Sequence, residues 1–212
     1  MDEPVIVQKI RPHGYMLLNG HHRWAAALRI GIKKIPVSIV NSVFESDIRE
    51  MLERSVNEKR ATLDLDEVVF RKDGDSDTEK APSLFRFGIH RKKMRLGIPV
   101  LFRYLKKNGC DIWVYSADFY SIDDIRSYFK RYGVTVDGII TGTKKKRKDG
   151  KSEYEGVENL ITGKYKETIH IDNDMVLITH SQSKDFEDVH IDCESGQWAS
   201  SIIEAVENSG KA

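Results

Sequence analysis

Cysteine is scarce in this chain: Cys110 and Cys193 are the only two in 212 residues. So few exclude a disulfide framework and a cysteine-built zinc site, and a reducing, cytoplasmic location is the expectation. Long apolar runs are missing as well. Nothing approaches the ~20 residues a membrane helix needs, and the start, MDEPVIVQK, lacks the shape of a signal peptide. No internal repeat appears, and the one biased tract is KKKRKDGK at 144–151. Against these absences stands an ordinary composition, 40% hydrophobic and 32% charged, which gives enough apolar material for a core.

The formal net charge of +1 hides a polarity along the chain. Residues 1–41 carry 6 Lys/Arg against 2 Asp/Glu, and 42–60 carry 4 against 5. Residues 61–151 carry 20 against 13, whereas 152–212 carry 4 against 13. A positive middle of this kind fits an anionic ligand, or else a solvated surface of uneven charge.

Punctuation divides the chain into three. PVIVQKI (4–10) and YMLL (15–18) are β-rich runs around a Pro-His-Gly turn and predict a hairpin. Gly20-His21-His22-Arg23 opens an alanine-rich helix that Gly31 should close, and 34–40 reads as a strand. Residues 42–60 predict a helical linker with Ile48, Met51 and Leu52 along one side. From residue 61 strands alternate with helices: strands over 61–65, 111–115, 136–141, 168–171 and 189–192, with 66–97 irregular. Pro99 and Gly109 bracket one helix, a Ser121/Asp124 capping box starts the next, 153–161 supplies a third, and Trp198, Ile202 and Ala205 mark the last. The expected fold class is α/β, a doubly wound parallel sheet over 61–212 preceded by a small α+β module over 1–41.

Ligands of such sheets bind beyond the carboxyl ends of the strands, and three of those ends carry chemistry: Asp64-Leu65-Asp66, Ser116 and Asp172-Asn173-Asp174. On a continued strand Asp64 and Asp66 would point to one side. Clustered carboxylates repel unless a hard cation such as Mg²⁺ neutralises them. His170 alternates with Ile169 and Ile171, which places it toward an interior or a neighbouring helix.

ATLDLDEVVF, WVYSAD and ETIHIDND, in that order, resemble the first, second and fourth motifs of the haloacid dehalogenase (HAD) superfamily. The resemblance implies a Mg²⁺-dependent phosphatase. Asp64 would be the nucleophile that forms an aspartyl phosphate, and Asp66 the acid that protonates the leaving oxygen and later activates water. Ser116 would hydrogen-bond the phosphoryl oxygens. A third-motif lysine, Lys151 or Lys148, would balance charge, and Asp64, Asp66 and Asp172 with Asn173 or Asp174 would hold Mg²⁺. The resemblance implies that much of 67–98 forms the family's own hairpin flap, and neither 67–98 nor 117–150 holds a folded cap, since small domains start near ~50 residues. The site should therefore be open, with Arg86, Arg91, Lys92, Lys93 and the 144–148 run as a positive rim. Such a rim suits a large or polyanionic phosphosubstrate.

Residues 4–40 resemble the ParB/sulfiredoxin fold through the hairpin, the Gly20…Arg23 turn and the Ile-Pro-Val strand. That resemblance implies a nucleotide phosphate site at Gly20, His21, His22 and Arg23, because a helix start and a guanidinium suit an anion. His21 stands where sulfiredoxins carry their reactive cysteine, so thiol chemistry is not expected. Two alternatives remain open. In one, an idle HAD scaffold carries a nucleotide-binding regulatory module. In the other, the basic middle grips nucleic acid.

Overall fold

Val5 and Val7 turn inward from a strand that is paired on both edges. The computed structural model describes residues 3–9, 14–40, 43, 45–72, 74–80, 82, 88–142, 155–183, 186–191 and 196–209. Strand β1 (Val5–Lys9) pairs antiparallel with β2 (Tyr15–Asn19) and, after helix α1 (His21–Arg29), parallel with β3 (Val37–Ile39). The expected hairpin, helix and strand all form, with Val5, Val7, Ala27 and Val40 as their small interior. Gly31 takes φ 74° just past the helix and its N–H donates to the Leu28 carbonyl at 3.2 Å, the stop its position predicts.

Helix α2 (Glu45–Arg54) buries Ile48 and Met51 in the large core that follows. Strand β4 (Lys59–Asp64) ends in a π-helical turn over Leu65–Val69. Next come β5 (Phe70–Arg71), a 3-10 turn at Gly88–Arg91, and β6 (Lys93–Met94), which pairs antiparallel with β5. The stretch expected to be irregular therefore contains a small flap. Phe70 anchors it, packing edge-on against Tyr128 at 5.3 Å.

The remaining elements are α3 (Ile98–Lys107), β7 (Cys110–Tyr115), α4 (Ile122–Arg131), β8 (Gly138–Ile140) and α5 (Glu155–Lys164). After them run β9 (Glu167–Ile171), β10 (Met175–His180), β11 (Phe186–His190) and α6 (Trp198–Ser209). The six-stranded sheet has the order β11-β10-β9-β4-β7-β8. Strands β9, β4, β7 and β8 are parallel, as expected, but β10 runs antiparallel to both of its neighbours, β9 and β11. This corrects the wholly parallel sheet. Only Asp172–Asp174 separate β9 from β10, and the Asp172 N–H closes that turn on the Met175 carbonyl at 2.9 Å. So short a link cannot carry the crossover a parallel strand requires.

Alternation gives β4 and β9 two different faces. Ala61, Leu63, Ile169 and Ile171 are buried on one, in the core shared with Leu101, Phe102 and Leu105 of α3 and with Ile202 of α6. Arg60, Thr62 and Asp64 lie on the other, in register with Thr168 and His170 of β9. Helix α5 contributes Ile161 to that polar side. A second correction concerns α4: Ser121 is its N-cap, with extended backbone, yet its side chain makes no capping hydrogen bond.

Two glycines fix packing distances. A Cβ on Gly138 would sit 2.0 Å from the Trp113 ring, and one on Gly97 2.4 Å from the Ala199 Cβ. Beneath the sheet, the buried Asp111 carboxylate accepts hydrogen bonds from Ser55, from Asn57 at 2.7 Å and from Tyr165 at 2.7 Å. These bonds tie the chain after α2 to β7. Three donors around one carboxylate meet the requirement for burying it.

Candidate functional site

Asp64 ends β4 and caps the π-helical turn that follows. Its Oδ1 accepts the backbone N–H groups of Asp66 at 2.7 Å and Glu67 at 2.9 Å. A short acceptor just ahead of free N–H groups makes this geometry, and buried Leu65, Val68 and Val69 pin the turn from below. The strand stops at Asp64, so Asp66 does not continue the alternation that would have pointed both carboxylates the same way. Among the described residues no hydrogen bond reaches Asp64 Oδ2, which leaves that oxygen open to a ligand.

Asp66 enters the turn and meets β7. Its Oδ2 accepts from the Ser116 hydroxyl at 2.5 Å, and its Oδ1 from the Tyr120 hydroxyl at 2.6 Å. Ser116 is fully buried just past β7, its N–H donating to the Ile140 carbonyl at 2.8 Å. The Ser116 oxygen also accepts the Asp118 N–H at 3.0 Å, so the hydroxyl is held from both sides. Burial, then the hydrogen bond to Asp66, raises the Tyr120 hydroxyl well above its ordinary value, so it stays a proton donor. Tyr120 carried no signal in the sequence beyond lying near Ser116. Its ring is placed by Phe70, 6.0 Å away and edge-on.

Asp172, Asn173 and Asp174 form the exposed turn between β9 and β10. Asp172 Oδ1 accepts the Asn173 N–H at 2.7 Å. Asn173 Oδ1 accepts from Arg95 Nη2 at 2.6 Å, and the Asn173 carbonyl from Trp198 Nε1 at 2.9 Å. The Arg95 guanidinium also lies 4.4 Å over the Trp198 ring. Since the Arg95 N–H donates to the Val69 carbonyl at 2.8 Å, this residue joins the flap, the turn after β4 and the turn after β9. Arg95 too was invisible in the sequence, being one of many cations in 61–151.

Asp64 and Asp172 border a cavity of about 340 Å³ on the polar face of the sheet, together with Arg60, Thr62, Tyr115 and His170. Thr62 Oγ1 and His170 Nδ1 are 2.9 Å apart. Burial, aided by the Arg60 charge, holds the His170 pKa below its ordinary value and favours the neutral ring. Asp64 and Asp172 bring two carboxylates, hard oxygen donors, to one cavity. The Asp66 carboxylate faces the two hydroxyls instead, and among the described residues no group of three His, Cys, Asp or Glu has a metal-binding arrangement. Lys148, Lys151, Arg86 and the 144–148 run lie outside the described residues.

In the amino-terminal module Gly20 takes φ 88° at the start of α1, where a Cβ would stand 2.8 Å from Val5 Cγ1. His21 and His22 are exposed. Arg23 Nη1 donates to the Glu3 carbonyl at 3.1 Å and forms an ion pair with the Glu3 carboxylate. Any anion there would have to replace Glu3.

No helix among the described residues is long and apolar enough to cross a membrane. Comparison with curated proteins and with solved structures gives no match. Residues 1–56 match the family model of the ParB N-terminal domain. That match spans the three-stranded module and α2 and stops short of β4, so the large sheet takes no family from it. The amino-terminal part of the chain is thus similar to the ParB N-terminal domain.

Proposed function

We propose that the large domain is a Mg²⁺-dependent phosphohydrolase of HAD type, acting through an aspartyl phosphate on a polyanionic phosphosubstrate. One observation carries this reading. Strand β4 lies between β7 and β9, so segments far apart in sequence, 64–66, 116 and 172–174, reach the same edge of one sheet. The flap built on β5 and β6 and the lack of a cap-sized element among the described residues of 67–98 also support it.

In this reading Asp64 Oδ2 attacks phosphorus and the bond to the leaving oxygen breaks. Asp66 gives that oxygen its proton. Asp66 then takes a proton from water, the hydroxide attacks the phosphoryl group, and the Asp64 carboxylate is released with inorganic phosphate. Ser116 and Tyr120 orient Asp66 throughout. Mg²⁺, held by Asp64 and Asp172 with Asp174 as a further oxygen donor, would supply positive charge to the phosphoryl oxygens. Lys148 or Lys151 would add a fixed cation.

The test is phosphate release from a panel of phosphomonoesters, with and without Mg²⁺, for the wild type and Asp64→Asn. Asn keeps an acceptor for both N–H groups of the turn, so the fold should be retained while turnover falls to background. Wild-type turnover in Asp64→Asn would sink the mechanism.

A second reading is favoured by the match of residues 1–56. The amino-terminal module would bind a nucleotide or nucleic acid at Gly20–Arg23, and the large domain would be a catalytically idle scaffold. Fluorescence polarisation with a labelled nucleoside triphosphate and a labelled DNA duplex, for the wild type and Arg23→Ala, tests it.

A further inference from the structure

Arg60 is the unusual member of the sheet-face cavity. It is only 8% exposed, yet among the described residues no carboxylate pairs with it. Its Nε donates to Thr168 Oγ1 at 2.9 Å and its Nη1 to the Tyr115 hydroxyl at 2.9 Å. The Tyr165 ring lies 5.5 Å from the guanidinium carbon. All three partners are neutral. A buried cation held by neutral groups has a large unmet demand for a counter-charge.

The surroundings specify the counter-charge. Thr62 and Tyr115 bring hydroxyls, and the His170 ring comes within 2.9 Å of Thr62. Together with a guanidinium these are donors for an oxyanion. Arg60 and Asp64 share one face of β4 four residues apart, which is about 13 Å along a strand. Asp64 lines the same cavity, as do Glu67 and Asp172. A volume of about 340 Å³ lies at the lower end of small-molecule sites, roughly 300–1,000 Å³.

We propose that this cavity is an oxyanion subsite, in which Arg60 with Thr62 and Tyr115 holds a second carboxylate or phosphate group of the substrate while its phosphoryl ester lies at Asp64. The substrate role rests on the phosphohydrolase reading; the anion site does not. The favoured substrate is then a compact phosphomonoester with a second anionic group, or the anionic end of a larger polyanion. Among the described lining residues Arg60 is the one guanidinium, so the group remote from the scissile ester is the one it would hold.

Two arms in the full-length protein separate the subsite from the hydrolase. In the first, inorganic phosphate is titrated while the ring signals of His170 are followed by NMR, assigned through His170→Gln. Saturable shifts are expected in the wild type and in Asp64→Asn alike, with at least tenfold weaker binding in Arg60→Gln and partial recovery in Arg60→Lys. In the second, kcat/KM is compared for a phosphomonoester with and without a second anionic group. A preference of at least tenfold is expected, falling toward unity in Arg60→Gln.

His170 signals unmoved at millimolar phosphate, with equal kcat/KM for the two esters, would overturn the subsite and leave the hydrolase standing. Saturable shifts with no turnover of any ester would support the anion site and overturn the hydrolase. If Arg60→Gln fails to fold, the wild-type titration decides alone.

Discussion

The Tyr120 hydroxyl donates a 2.6 Å hydrogen bond to Asp66 Oδ1 across 54 residues of sequence. With Ser116 on the other oxygen, it gives the Asp66 carboxylate two neutral donors from the loop after β7. A carboxylate held in this way has one orientation relative to Asp64, which proton transfer to a leaving group requires.

Tyr120→Phe removes one of those donors and keeps the ring that packs against Phe70. A hydrogen bond to a charged group contributes about 1.5–3 kcal/mol, so kcat should fall roughly ten- to hundredfold with KM little changed. The melting temperature should stay within a few degrees. Tyr120 acts through Asp66, so combining Tyr120→Phe with Asp66→Asn should cost no more than Asp66→Asn alone; additive losses in steady-state assays would show that the hydroxyl acts elsewhere.

Gly97→Ala should be strongly destabilising. Gly97 takes φ 90°, and its added Cβ would lie 2.4 Å from the Ala199 Cβ, on a helix that cannot yield without moving. Strain and overpacking together cost about 2–3 kcal/mol. Gly133→Ala has a similar φ of 70° but nothing within 4 Å, so backbone strain of about 1 kcal/mol should remain. Urea unfolding of the two variants measures the difference, and equal losses would show that the contact between α3 and α6 has slack.

Stability should fall as the pH drops below about 6.5, and His170 should be part of the cause. Its ring is held neutral in the fold by burial first and by Arg60 second, while the unfolded chain takes up a proton at the ordinary value of 6.5. The unfolded state therefore binds more protons between the lowered folded value and 6.5. The contribution is complete above that window and is lost as pH falls through it. In His170→Gln the decline between pH 7 and 5, read from urea midpoints, should be shallower. His90, lowered by its own burial, keeps part of the slope. An unchanged slope would mean that His170 is not linked to folding.

Much of the path from sequence to site was legible locally. Apolar alternation marked β4, β7 and β9, and Asp64, Ser116 and Asp172 stood at their ends. Turn chemistry marked the stop at Gly31 and the start of α3 near Pro99. The run MVLITH is equally apolar and β-rich and forms β10, but its antiparallel direction follows from the three-residue turn before it and not from its own residues. The two strands of the flap left no trace in the residue pattern for a different reason, since strands of two residues are too short to show a period, and only the HAD resemblance implied a flap there.

What the sequence by itself determined is the set of elements and the residues at their ends, since burial period and turn preference act within a dozen positions. Only the tertiary structure decided which of those residues meet. Asp66 met Ser116 and Tyr120 because the chain coils at Leu65 rather than continuing the strand. Arg95 found Asn173 across 78 residues and Thr62 found His170 across 108, through strand order and register. The unpaired charge of Arg60 is likewise a property of the closed sheet. One arginine among many in the sequence became distinct once its strand was buried and its partners among the described residues proved neutral.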